Sequence, residues 1–412
     1  MGDIARSAAE TLLLAGKSVL LAGAPGTGKT RLGVVLSKRF TGLEPIIVVG
    51  RGDMTSQDLV YSYQPSGGGV KLVLGELAVS VIASWARLVE GLTPRWVLFD
   101  ELNRMNAETV LGKLFTALDL SYREEVEIVP LNVVNEVVGS KELLETVSSY
   151  ADLEPGRLKE NLANIVARLR GLGLAGLPLP YSWRSVATVN MIDRAHLFRL
   201  GFALMRRYPV VIVPGVGTSV APSSIDTGLL QKITNNNKIY SSIINIIRDK
   251  ACDVALRELA LRSRLTSYDM PLFLANVDTL KEALTRYKNA IDTAAAIASI
   301  MSRLGVEIGY AMLVDTCRVA AAAMLRDLPE TTVADIVVAS ILLPQLGSLA
   351  PMLKIELMLQ GNSRRAIKVA SLLSSIPKLL GENSLSAIYA EALSLELPYT
   401  GVWMQGSSQG GY

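Results

Sequence analysis

The sequence predicts an α/β fold: an αβα sandwich around a five-stranded parallel sheet, followed by an α-helical lid and C-terminal helices. Three observations carry that prediction. Five short β-branched runs alternate with helical or irregular segments through the first 214 residues, each run closes on a polar or turn residue, and beyond residue 238 the apolar spacing is helical nearly to the end. Strands buried on both faces read as near-continuous apolar runs, and strands alternating with helices are the grammar of β-α-β units. With 412 residues, 50% of them hydrophobic, the chain can form two or three domains with a substantial core.

In chain order, "KSVLLAG" (17–23) and "PIIVVG" (45–50) are the first two strands, with a helix-like segment between them. "RWVLFDE" (95–101), "RSVATVN" (184–190) and "YPVVIVP" (208–214) supply the other three, so residues 1–214 read as one α/β domain with its ligand at the strands' C-terminal edge. From about 131 to 180 the spacing of Leu158, Leu162, Ile165, Val166 and Leu169 is helical, and this stretch reads as an insertion before the fourth strand. Residues 215–237, rich in Ser, Thr, Gly and Asn, read as a linker or mobile loop. The lid domain is expected over 238–360 and a helical extension over 361–412, with "QGSSQGGY" as a frayed tail.

Charge narrows the function classes. Forty-one basic against 38 acidic residues leave a net charge of +3, which argues against a surface that clamps nucleic acid throughout. Cys252 and Cys317, 65 positions apart, have no metal or redox spacing, so free thiols in a reducing cytoplasm are expected. "MGDIARSAAE" has no signal-peptide core and matches myristoylation poorly, and no apolar run looks fit to cross a membrane, so no membrane partner is expected.

The most specific motif is "GAPGTGKT", Gly23, Ala24, Pro25, Gly26, Thr27, Gly28, Lys29 and Thr30, followed by Arg31. It fits G-x-x-x-x-G-K-[ST] and lies where that pattern belongs, after a strand and before a helix. Its glycines let backbone N–H groups curl around a β-phosphate, Lys29 offers a cation to the β/γ oxygens, and the Thr30 hydroxyl is placed for Mg²⁺ at a helix N-terminus. "WVLFDE" (96–101) is the partner: a buried strand ending in Asp100, near the metal shell, and Glu101, free to polarise a water for attack on a γ-phosphate. Adjacent acids favour hydrolysis over a non-catalytic switch. His196, the single histidine, reads as a packing or surface residue, and neither a zinc cluster nor a hydrolase triad is visible.

"DELNRMNAETVLGKLFTAL" (100–118) resembles the D-E-[IL]-N-R stretch of AAA+ ATPases of the MoxR and McrB group, ring motors with an insert before sensor 1. "MTSQDLVYSYQ" (54–64) and "LGEL" (74–77) resemble that group's segment between the second and third strands. "ATVNMIDRAHLFRLGFALMRRYPVV" (187–211) is similar to the McrB-type T-M-N-x-x-D-R signature, and "ASILLPQLG" (339–347) is similar to part of the McrB lid. The resemblance implies that Asn190 is sensor 1, that Asp193 and Arg194 are the following D-R pair, and that Arg206 and Arg207 hold the place of an arginine finger serving a neighbouring subunit. It further implies a homo-oligomeric, hexameric ring, Mg²⁺ with ATP or GTP, and a protein partner of nuclease-like or von Willebrand A type, with nucleic acid reached through that partner. Remodelling or translocation of a macromolecule, a McrBC-like restriction motor and a nucleotide-gated scaffold all stay open. One departure stands out: in "EIGYAMLVDTCR" (307–318) the place of a sensor 2 arginine is taken by Ala311, with Arg318 seven residues on, so weak coupling of the lid to the γ-phosphate is expected.

Overall fold

Helices and strands alternate through the first half of the chain. The computed structural model describes residues 3–190, 202–215, 218, 220–221, 225–360 and 363–396. In it α1 (Asp3–Leu14) leads to β1 (Val19–Gly23), and α2 (Lys29–Thr41) returns the chain to β2 (Ile46–Val49). A short helix, α3 (Ser56–Leu59), precedes the hairpin β3 (Tyr61–Ser66) and β4 (Gly69–Leu74), then α4 (Glu76–Leu88) leads to β5 (Val97–Asp100). After α5 (Ala107–Ala117) come β6 (Glu127–Pro130), α6 (Leu131–Gly139), α7 (Lys141–Ala151), α8 (Pro155–Gly171) and β7 (Gly176–Pro178). The unit ends with β8 (Ser185–Asn190), α9 (Phe202–Arg207) and β9 (Val210–Ile212).

All five strands read from the apolar runs join one parallel sheet, in the order β2-β5-β8-β1-β9. Helices cover it, giving an αβα sandwich. The central strands are closed to solvent, as in Val97, Leu98 and Phe99 of β5, which matches the unbroken apolar runs that encode them.

Two further two-stranded sheets carry no comparable sequence signal. β3 and β4 form an antiparallel hairpin turned at Gly67 and Gly68, both at positive φ. β6 and β7 pair antiparallel and clamp the base of the inserted helices α6, α7 and α8. Of these, α7 and α8 pack on α4, whose residues from Leu77 to Leu88 are all buried, because one side faces the sheet and the other the insertion.

The second half is helical: α10 (Thr227–Thr234), α11 (Lys238–Ile246), α12 (Cys252–Leu259), α13 (Val277–Arg286), α14 (Lys288–Arg303), α15 (Tyr310–Leu325), α16 (Glu330–Val337), α17 (Ala350–Gln360), α18 (Arg364–Leu380) and α19 (Leu385–Glu396). α10 lies within the stretch read as a linker; the Asp226 side chain accepts from Leu229 N and starts it. Contrary to the expectation of no membrane-length apolar run, Glu330–Leu353 has 24 helical residues with a mean hydropathy of 1.8. Seventy-two per cent of that stretch's apolar window is buried inside the fold, the placement of a core helix.

The expectation of free thiols is corrected. Cys252 of α12 and Cys317 of α15 form a disulfide, with Cα atoms 5.2 Å apart. Their separation of 65 residues says nothing about distance once the two helices pack side by side, and the cysteine-based argument for a reducing compartment falls with it. Cross-linking a loop of that length should contribute up to about 4 kcal/mol by limiting the unfolded chain. Replacing both cysteines by serine should therefore lower the denaturation midpoint, with a loss of about 2–4 kcal/mol read from equilibrium unfolding.

Buried charges hold α15 against the N-terminal edge of the sheet. Lys17, just ahead of β1, meets Asp315 at 2.8 Å with both side chains buried. Arg318 pairs with the same Asp315 at 3.0 Å and with Glu258 of α12.

Candidate nucleotide site

Strand register gathers the polar ends at one place. Gly23 lies beside Asn190 in the β1–β8 pair, Val49 lies beside Asp100 in the β2–β5 pair, and Phe99 lies beside Ala187. The loops leaving β1, β5 and β8 thus share the C-terminal edge of the sheet.

The loop after β1 takes the shape its glycines permit. Gly26 and Gly28 have φ of 77° and 85°, a region open to glycine at little cost, and a Cβ at either would meet no atom within 4 Å. Their outer face is therefore free for an incoming group. A Cβ at Gly23 would instead strike the Val213 carbonyl at 2.4 Å, so that glycine is required for packing. Gly28 caps α2 without a side-chain hydrogen bond, leaving the first N–H groups of a 13-residue helix unclaimed by a cap. Positive φ, open space and free N–H donors are what a phosphate cradle needs.

Lys29 is buried beneath this cradle and donates to the carbonyls of Gly23 (3.0 Å) and Ala24 (2.7 Å). Burial pulls its ammonium pKa down, while the charges of Asp100 and Glu101 oppose the shift.

The two acids form one hydrogen-bonded array with their neighbours. Thr30 Oγ1 donates to Asp100 Oδ1 at 2.8 Å, and Thr188 Oγ1 donates to the same oxygen at 2.6 Å. The Thr188 hydroxyl also accepts from the Glu101 backbone N–H at 3.0 Å. A hydroxyl and a carboxylate oxygen in contact are hard donors suited to Mg²⁺, so Thr30 and Asp100 fit that ion.

Glu101 sits at φ 54°, ψ 49°, a left-handed conformation that costs a non-glycine residue on the order of 1 kcal/mol. The Thr188 bond helps to hold it there. Gly50 packs against the turn from the other side: a Cβ on Gly50 would lie 2.4 Å from the Glu101 carbonyl. The Glu101 carboxylate accepts from Asn190 Nδ2 at 3.1 Å and forms an ion pair with Arg104, Nε to Oε2 at 2.9 Å.

Of the residues read from the sequence, Gly23 through Thr30, Asp100, Glu101 and Asn190 converge here. Asp193, Arg194 and His196 lie outside the described residues. Arg206 and Arg207 lie elsewhere: α9 enters β9, and Leu20 pairs with Val210, so both arginines sit level with the start of β1. The phosphate loop leaves the other end of β1, four residues or roughly 13 Å of strand away, beyond the reach of a side chain on the same protomer. Arg206 is exposed, whereas Arg207 is held by the Phe115 carbonyl, the Phe115 ring and Asp119. Ala311 and Arg318 line, with Arg206, a cavity of about 400 Å³ at that same N-terminal edge. Arg318 is committed to Asp315 and Glu258.

Two residues of the array escaped the sequence reading. Thr188 stands two places before Asn190 on β8, and Arg104 is the last letter of D-E-L-N-R. The quoted motif was an available signal for Arg104; Thr188, whose contact with Asp100 is set by strand register, had none.

Residues 18–207 match the family described as AAA domain, dynein-related subfamily. No curated protein matches the chain. Among solved structures, a candidate ATPase from Cytophaga hutchinsonii aligns at 15% identity over 89% of this chain and 86% of its own, with a TM-score of 0.39, too low to bear on fold or activity.

Proposed function

The chain carries a dynein-related AAA domain over residues 18–207 and is an AAA+ protein of the MoxR-like type, and from that premise we propose that it hydrolyses a nucleoside triphosphate to do mechanical work on a partner macromolecule. ATP is proposed ahead of GTP because the family is one of ATPases; the loop itself meets phosphates and does not read the base. Thr30 and Asp100 would hold Mg²⁺, which supplies charge neutralisation between the β- and γ-phosphates. Lys29 and the backbone N–H groups at Gly26 and Gly28 bind the phosphates. Glu101 takes a proton from the attacking water, and Asn190 helps to orient that water.

The observation that carries this reading is the single array joining Thr30, Asp100, Thr188, Glu101 and Asn190 beneath an open glycine loop. It supports turnover over a nucleotide-gated scaffold, since base and metal positions are both furnished. A homo-oligomeric ring, proposed as hexameric, is supported by the placement of Arg206 at the edge remote from its own loop. The partner proposed is a protein of von Willebrand A or nuclease-like type, and the sequence likeness of 187–211 to the McrB signature supports a restriction motor as the second reading. The motor is proposed to act in the cytoplasm, where nucleoside triphosphates are available to it.

Purified full-length protein should release phosphate from ATP in a Mg²⁺-dependent manner, and more slowly from GTP. No release from either nucleotide, with the protein assembled and binding them, would overturn the reading.

A further inference from the structure

We propose that Arg123 and Arg184 form a buried binding site for a small monovalent anion, at the end of the sheet remote from the nucleotide loop. Arg123 lies in the 3₁₀ turn Leu120–Glu125, and Arg184 stands directly ahead of β8. Both are fully closed to solvent. Arg123 donates through Nη1 to the carbonyls of Pro180 (2.5 Å), Tyr181 (3.1 Å) and Trp183 (2.8 Å). Arg184 donates through Nη1 to the same Tyr181 and Trp183 carbonyls, at 2.6 and 2.7 Å, and through Nε to the Leu13 carbonyl at 3.1 Å. The shared acceptors set two guanidinium groups side by side in the interior.

What they lack is a counter-charge. Among the described residues neither arginine forms an ion pair, and Arg123 Nε, Arg123 Nη2 and Arg184 Nη2 have no hydrogen-bond partner. Asp269, the carboxylate whose charge acts on both, directs its oxygens at Tyr181 N, Ser182 N and Ser182 Oγ instead. Burial presses both guanidinium pKa values down, Arg123's to about 10, and the charge of Arg123 adds to the pressure on Arg184. Arginine nonetheless keeps its proton in proteins, and an unpaired charge in the interior is costly. The orphan Nε and Nη2 of Arg123 share one edge of the guanidinium, the fork that grips an anion with two parallel N–H groups. Water accepts such N–H groups but leaves two like charges side by side; an anion meets both needs. The carbonyls that hold the pair belong to the segment joining β7 to β8, so the ion secures the entry to the strand that carries Thr188 and Asn190.

The test uses the full chain with chloride as the probe, replaced by gluconate at constant ionic strength. Once chloride exceeds its dissociation constant, the thermal midpoint should rise by about 1–2 °C for each tenfold increase, the linkage expected of one ion bound to the folded state of a chain this long. Arg184→Gln should lose that dependence; if the variant does not fold, the parent protein decides alone. In crystals of the parent grown with bromide, an anomalous peak should lie within hydrogen-bond distance of Arg123 Nε and Nη2. A midpoint indifferent to chloride, with a water and no anomalous signal at that position, overturns the proposal. A bromide peak without chloride dependence marks an adventitious ion only and overturns it as well. Chloride dependence with no bromide at that position, or dependence retained in Arg184→Gln, assigns the ion to another place and has the same result.

Discussion

Glu101→Gln should bind nucleotide as the parent does and release phosphate about 10²- to 10⁴-fold more slowly, the span a positioned general base contributes. The substitution keeps the size of the side chain, and its amide oxygen can still accept from Asn190 Nδ2, so the array of Thr30, Asp100 and Thr188 is not disturbed. Lys29→Ala should behave oppositely. It removes a cation buried under the loop, and losing a charge-assisted hydrogen bond to phosphate costs on the order of 1.5–3 kcal/mol, or about 10- to 150-fold in affinity. Titrating a nucleotide into both variants separates the roles. If both lose binding equally, Glu101 is part of the binding surface and not the base.

The second large effect concerns Arg206. As an arginine finger it would contribute about 10³- to 10⁵-fold in rate to the neighbouring subunit's site, so Arg206→Ala should be nearly inactive while still binding nucleotide. Arg207→Ala should show a different defect, because Arg207 is tied to Phe115 and Asp119 and joins α9 to α5. Its loss should lower thermal stability more than kcat. Mixing Glu101→Gln with Arg206→Ala protein should restore activity, since random 1:1 assembly in a head-to-tail ring pairs an intact site with an intact finger at about one interface in four. No rescue in a mixture shown to co-assemble would remove Arg206 from the finger role.

How much of this the sequence carries depends on how local each feature is. Gly26, Gly28, Lys29 and Thr30 are legible because a phosphate loop is encoded in eight consecutive residues between a strand and a helix. Asp100 and Asn190 are legible because each ends an apolar run, and parallel register carries both ends to one edge. Thr188 is not, since its importance comes from facing Asp100 across two strands, a relation set by register and absent from spacing. Gly50 looks like an ordinary strand-end glycine until the Glu101 carbonyl is seen against it. Arg206 and Arg207 are adjacent in the chain, yet the turn of α9 exposes one and packs the other. The disulfide was hidden for the same reason: Cys252 and Cys317 are brought together by helix packing. Ala311 was legible as a departure from its family, but its place at the N-terminal edge of the sheet, with Arg206, depends on where the buried Lys17–Asp315 pair docks α15.

Helix α4, closed in on both sides, has a consequence for how the protein bears load. The inserted helices do not hang from a tether: their base is clamped by β6 and β7, and their apolar side shares one core with α4. α4 in turn lies on β2 and β5, and β5 ends in Asp100. A pull applied to α7 or α8 would therefore be carried by packed side chains into β2 and β5, the latter ending in Asp100, with little slack to absorb it. Stiffness runs in both directions along that path. Anything bound to α7 or α8 would be attached, mechanically, to the strand that ends in Asp100.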